Sequence, residues 1–140
     1  MILQLYHGTT KEFTQDLASK LDPVDRTKGG GELGMGFYLG DNLGMAVIFA
    51  KGRYGVDAGV VEFDIDKKEF AKLDIFLVKL RKQVYLKWRS IISKKMRFTY
   101  VFGKDVIMAP FATVDICIQY KFESAKAEKL VNDSQKRPIL

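Results

Sequence analysis

The stretch Gly34-Met35-Gly36-Phe37-Tyr38-Leu39, taken with Leu5-Tyr6-His7-Gly8-Thr9 near the start of the chain, decides how this sequence reads. Each is a glycine-bearing junction beside a short run of strand formers. Ile2-Leu3-Gln4-Leu5-Tyr6 has the aliphatic and aromatic content of a strand, and the glycine and hydroxyls of His7-Gly8-Thr9-Thr10 predict a turn after it. Upstream of Phe37, Gly29-Gly30-Gly31-Glu32-Leu33-Gly34-Met35-Gly36 reads as a flexible loop feeding a second short strand. Asp41-Asn42 then offers an N-cap for a helix through Met45, Val47, Ile48 and Phe49, closing near Gly52.

Working outward, Phe13, Leu17 and Leu21 recur every four residues, predicting a short helix that Asp22-Pro23 ends. Val61, Phe63 and Ile65 alternate with Glu62 and Asp64, the period of a half-buried strand. From Leu73 to Met96, Phe76, Leu80, Val84, Trp88 and Ile91 or Ile92 fall at helical spacing, which predicts one long amphipathic helix. Asp105 to Ala109 and Asp115 to Phe122 read as two more strands. In the second, Ile116, Ile118, Tyr120 and Phe122 share one face, and Cys117, Gln119, Lys121 and Glu123 share the other. Ser124 can cap a last helix from Ala125 to Val131. The expectation is a single compact α+β domain over residues 1–132, with a polar tail at 133–140.

Composition bounds the function. The 140 residues suit one domain, and 47% hydrophobic with 29% charged content is that of a globular chain. The single cysteine, Cys117, cannot form an internal disulfide, and one cysteine with one histidine gives no metal-ligand cluster. No apolar run approaches the ~18 residues of a membrane span, and none at the N-terminus suits a signal peptide, so a cytoplasmic protein with no membrane partner is expected. The net charge of +6 is local. Eight of the 23 basic residues lie between Lys79 and Arg97 with no acidic one among them, which leaves 15 basic against 17 acidic elsewhere. A single-sign segment of that kind attracts anionic partners.

Three features carry possible chemistry: Tyr6-His7-Gly8-Thr9, the block Gly34 to Leu39 followed by Ala46 and Ala50, and Ile118-Gln119-Tyr120-Lys121-Phe122-Glu123-Ser124. In that order they resemble the ADP-ribosyltransferase superfamily, in its diphtheria-toxin and PARP-like branch, and most of all a group of small bacterial domains of that fold. The resemblance touches most of the chain in patches and implies a split central β-sheet with flanking helices. It further implies NAD as co-substrate and a catalytic triad of His7, Tyr38 and Gln119. The implied cofactor-binding residues are His7, Gly8, Thr9, Gly36, Phe37 and Tyr38. His7 would bond the adenosine ribose, the Gly8 backbone would hold the nicotinamide carboxamide, and the Tyr38 ring would stack on nicotinamide.

The third position departs from the family pattern, in which it is commonly a glutamate. Gln119 can hydrogen-bond a ribose but carries no charge to face a ribosyl cation. Glu123 has the carboxylate on the same strand face, yet lies about 13 Å further along at ~3.3 Å per residue, so the two cannot share one slot. The order of strand, Ser124 and helix favours Gln119, and a glutamine there implies single transfer over chain elongation. The arginine and Ser-Thr-Ser block of arginine-specific relatives are absent. An RNA 2′-phosphotransferase, expected to use a second histidine, is disfavoured by the sole histidine.

Taken singly, each feature has a plainer explanation. A histidine after a strand is commonly a polar turn residue, Phe37-Tyr38 suits core packing, and glycine clusters are mostly turns. The basic segment suits a solvated helix face, and no phosphate-loop or dinucleotide fingerprint accompanies the glycines. Their joint order supports a mono-ADP-ribosyltransferase acting on a protein or nucleic acid, in the manner of a bacterial toxin or regulatory modifier, with an antitoxin or inhibitor protein as a further partner. The alternative is a non-catalytic module of the same fold that holds a nucleic acid or acidic protein through the basic helix 79–97.

Overall fold

The computed structural model describes residues 1–19, 23–112 and 117–140. Leu21, Asp22, Asp115 and Ile116, which the sequence places at a helix end and a strand start, lie outside them. The elements run β1 (Ile2–Thr10), α1 (Lys11–Ala18), β2 (Phe37–Gly40), α2 (Leu43–Tyr54), β3 (Ala58–Asp66), α3 (Lys67–Ala71) and β4 (Ile75–Leu77). Short helices α4 (Arg81–Gln83) and α5 (Arg89–Ile91), joined by a π-helical turn over Val84–Trp88, precede β5 (Val106–Pro110), β6 (Ile118–Phe122), α6 (Ala125–Asp133) and β7 (Gln135–Pro138). The strands form one mixed sheet in the order β4-β5-β6-β2-β1-β3-β7. Among the described residues, only β4 and β5 pair in parallel. The α+β class is as the sequence leads one to expect.

Among the described residues, sheet alternation divides β5 and β6 between two of three apolar clusters, the third packing Ala58 and Val60 of β3 against Ala46 and Ala50 of α2. Val106 and Met108 of β5, with Tyr120 and Phe122 of β6, face a cluster that includes Leu5, Phe63 and Val131. The intervening Ile107 and Ala109 face a second cluster with Leu33, Val78 and Val84. Two caps read from sequence are in place. Asn42 Oδ1 accepts from the Met45 amide, and Ser124 Oγ accepts from the Ala127 amide.

Four expectations are corrected. His7-Gly8-Thr9-Thr10 is not a turn: β1 continues to Thr10, paired residue for residue with β3 from Ile2↔Asp66 to Thr10↔Ala58. The buried run of β3 gives those residues a full-length partner. Gly8 serves close packing there, since a Cβ at that point would lie 2.7 Å from the Ala46 carbonyl oxygen of α2. The helix through Met45 also passes Gly52 and ends at Tyr54.

The long helix over 73–96 is replaced by β4 and the short α4–α5 stretch. Ile75–Leu77 pair with Val106–Met108, and the Val78 amide donates to the Met108 carbonyl. Phe76 therefore packs against Trp88 and Phe102 from a strand, not from the same helix. Lastly, the polar tail is part of the domain. Residues 135–138 form β7 against β3, where Arg137 meets Glu62 and Asp64. Among the described residues, no helix is long and apolar enough to cross a membrane.

Candidate active-site cleft

The sheet is joined at its middle by a single register pair, Tyr6↔Gly40 between β1 and β2. Past that pair the two strands part, and a cleft of about 380 Å³ opens beside His7 and Gly8. That volume lies within the range of small-molecule sites. Its lining brings together His7, Gly8, Gly36, Phe37, Tyr38 and Gln119, residues drawn from three distant parts of the chain. Of the residues assigned to the triad and the cofactor set from sequence, Thr9 alone is not among those lining the cleft. It lies buried further along β1, opposite Gly59.

The His7 ring stacks at 4.5 Å on Phe37, tilted by 31°. Its Nδ1 lies 2.8 Å from the Tyr38 carbonyl oxygen, an acceptor, so Nδ1 carries the proton and donates. Burial pushes the imidazole pKa below its usual value, against a smaller upward pull from that bond. The ring is therefore neutral at pH 7, and Nε2 is left as an acceptor, suited to a hydroxyl. A pH effect on stability follows. Below about pH 6.5 the unfolded chain binds more proton at His7 than the folded chain does, so stability falls as the pH falls, by at most ~1.4 kcal/mol per pH unit for this one proton. Urea unfolding from pH 7.5 to 5 should show a shallower loss for His7→Gln than for the wild-type chain. Parallel slopes would contradict a His7 whose pKa is lowered in the folded chain.

Tyr38 is pinned at its hydroxyl, which donates to the Gly34 carbonyl at 2.6 Å and accepts from the Leu33 amide at 3.0 Å. Burial, the largest cause, raises its pKa far above the phenol range, and the phenol stays protonated. Gly31 passes so close to the ring that a Cβ would sit 2.8 Å from Cζ. With the hydroxyl committed to the glycine loop, the ring is what Tyr38 offers a ligand.

Gln119 is 1% exposed. Its Nε2 donates to Glu32 Oε1 at 2.5 Å and to the Pro110 carbonyl at 3.2 Å. Both partners are acceptors, which fixes the amide orientation. Glu123 is placed elsewhere. It is buried against Lys121 at 2.6 Å and accepts from the Phe102, Gly103 and Lys104 amides, away from the cleft lining.

Sequence reasoning missed several lining residues. Glu32 is the most consequential, and its signal was a lone carboxylate inside a glycine run. Arg97 also reaches the cleft, so the basic segment is not wholly separate from the candidate site. Phe49 of α2 is 46% exposed and packs at 5.5 Å on Phe111, both at the cleft and not in the core. Arg53 lines the cleft, whereas Arg26 is engaged by Glu128 and the Glu123 carbonyl. No group of three or more potential metal ligands occurs among the described residues. No protein-family model and no curated protein matches this chain.

Proposed function

We propose that this chain is an NAD-dependent mono-ADP-ribosyltransferase. The observation that carries the reading is the convergence of His7, Tyr38 and Gln119 on one cleft where β1 and β2 part. Each side chain has a chemistry that suits NAD. His7 Nε2 accepts from a ribose hydroxyl, and the Tyr38 ring offers a flat apolar face to nicotinamide. Arg53 and Arg97 supply positive charge where the diphosphate needs it. The cleft holds the dinucleotide so that the bond between nicotinamide and ribose faces the acceptor, a protein or nucleic acid. A toxin or modifier with a cognate inhibitor protein is the biological role that follows by analogy.

Incubation with NAD labelled in the adenylate, with protein, DNA and RNA acceptors, tests the reading directly. Label transfer and nicotinamide release are expected, with His7→Ala weakening NAD binding by roughly 10-fold, the scale of one hydrogen bond to a buried partner. Absence of both products, with NAD affinity unmoved by His7→Ala and Tyr38→Ala, would sink it.

One observation favours the second reading, a binding module. All eight basic residues between Lys79 and Arg97 are exposed, and none makes an ion pair among the described residues. Leu80, Tyr85, Leu86 and Ile91 are exposed among them. That reading expects salt-sensitive association with an acidic protein or nucleic acid that needs Lys82, Lys87 and Arg89 and survives His7→Ala.

A further inference from the structure

The cleft contains a carboxylate that the third-motif strand does not supply. Glu32 belongs to the glycine loop, and both of its neighbours are tied to Tyr38. Gly31 packs on the ring, and the Leu33 amide donates to the hydroxyl. The backbone at residue 32 is thereby fixed beside the Tyr38 ring. One carboxylate oxygen, Oε1, is held from two sides, by the Ala112 amide at 3.1 Å and by Gln119 Nε2 at 2.5 Å. The other, Oε2, accepts from no described residue. Both donors to Oε1 are neutral, and no cation lies within ion-pairing distance of Glu32 among the described residues. The negative charge is thus positioned but not neutralised. Gln119, nearly fully buried with both amide protons directed at Glu32 and Pro110, is arranged to hold that charge in place.

We propose that Glu32 is the catalytic carboxylate of the cleft and Gln119 its positioning residue, so that an amide and a carboxylate from two distant segments share the work of a single glutamate. The inference rests on the transferase reading and deepens it. The bond from ribose C1′ to the nicotinamide nitrogen breaks, its electron pair leaves with neutral nicotinamide, and positive charge develops on the ribose. Glu32 faces that charge. As the acceptor's lone pair bonds to C1′, the acceptor's proton passes to the Glu32 carboxylate and then to water.

Glu32→Gln separates charge from scaffolding, because its carbonyl oxygen still accepts from Ala112 and Gln119. Nicotinamide release and label transfer should fall by about 10²–10³-fold, the usual effect of losing such a group, while NAD affinity and the melting temperature stay near wild type. The exchanged pair Glu32→Gln/Gln119→Glu restores one carboxylate and one amide across the same hydrogen bond, and should recover at least ~10-fold of that loss if charge in the cleft is what matters. A merely structural Glu32 would leave the rate of Glu32→Gln at wild type, which overturns the proposal and leaves the transferase reading standing. A wild-type chain that neither binds nor cleaves NAD overturns both. Loss of rate in Glu32→Gln with no recovery in a folded exchanged pair also overturns the sharing of roles between Glu32 and Gln119.

Discussion

Glu123→Ala is expected to cost the fold about 3–5 kcal/mol, the scale for stripping one partner from a buried ion pair. Lys121 is wholly buried, with its ammonium 2.6 Å from Glu123 Oε1 and 4.9 Å from the centre of the Phe102 ring. The ammonium makes no well-angled hydrogen bond, so the pair is held by charge and by the aromatic face. Burial pushes the Lys121 pKa down, and Glu123 only partly offsets this. Without Glu123 the ammonium has no counter-charge, and the successive amides of Phe102, Gly103 and Lys104 lose their shared acceptor. Such a loss is a large part of the ~5–15 kcal/mol that holds a domain of this size together. Urea unfolding reads it as a lower midpoint at unchanged slope. Lys121→Met/Glu123→Gln, which leaves no charge to strand and keeps an acceptor for the amides, should regain most of it. A single variant within about 1 kcal/mol of wild type would show that solvent reaches the pair, since that is the scale of an exposed one.

Tyr38→Ala is expected to produce the second large effect, on both stability and ligand binding. Removing the ring takes away the surface on which Gly31 packs, at a cost of about 3–5 kcal/mol for a large aromatic side chain. It also removes the proposed nicotinamide platform, worth about 1–3 kcal/mol, or roughly 5–150-fold in NAD affinity. Tyr38→Phe divides the two contributions. It keeps the ring but strands the Leu33 amide and Gly34 carbonyl, for about 1–3 kcal/mol of stability. The phenylalanine variant should therefore melt earlier and still bind NAD, whereas the alanine variant should melt earlier still and bind NAD poorly. Equal loss of NAD affinity in both, measured by calorimetry on folded protein, would mean that the ring is not the platform.

Several elements were legible because their signals are local. The Asn42 and Ser124 caps, the alternation of Val61, Phe63 and Ile65, and the split faces of β6 depend on backbone geometry within a few residues. The 73–96 stretch misled for an equally physical reason. Phe76, Leu80, Val84 and Trp88 keep helical spacing, but Phe76 comes from a strand made favourable by pairing with β5, and Leu80 is half exposed as the helix N-cap. Residues 135–138 look like a tail by polarity alone, because an edge strand can carry Gln, Lys and Arg on open faces while its backbone pairs with β3.

The sequence by itself determined the α+β class, most of the strands and capped helices, and His7, Tyr38 and Gln119 as candidates. It also localised the basic charge to residues 79–97. Only the tertiary structure decided that those three side chains line one cleft, because that depends on where β1 and β2 part. It likewise decided that Glu123 is buried with Lys121 and that Glu32 stands in the cleft against Gln119. Hydrogen bonds between residues 32 and 119 leave no periodic trace in a chain. They arise only when packing brings a loop and a strand together, and a buried carboxylate looks no different in sequence from a solvated one.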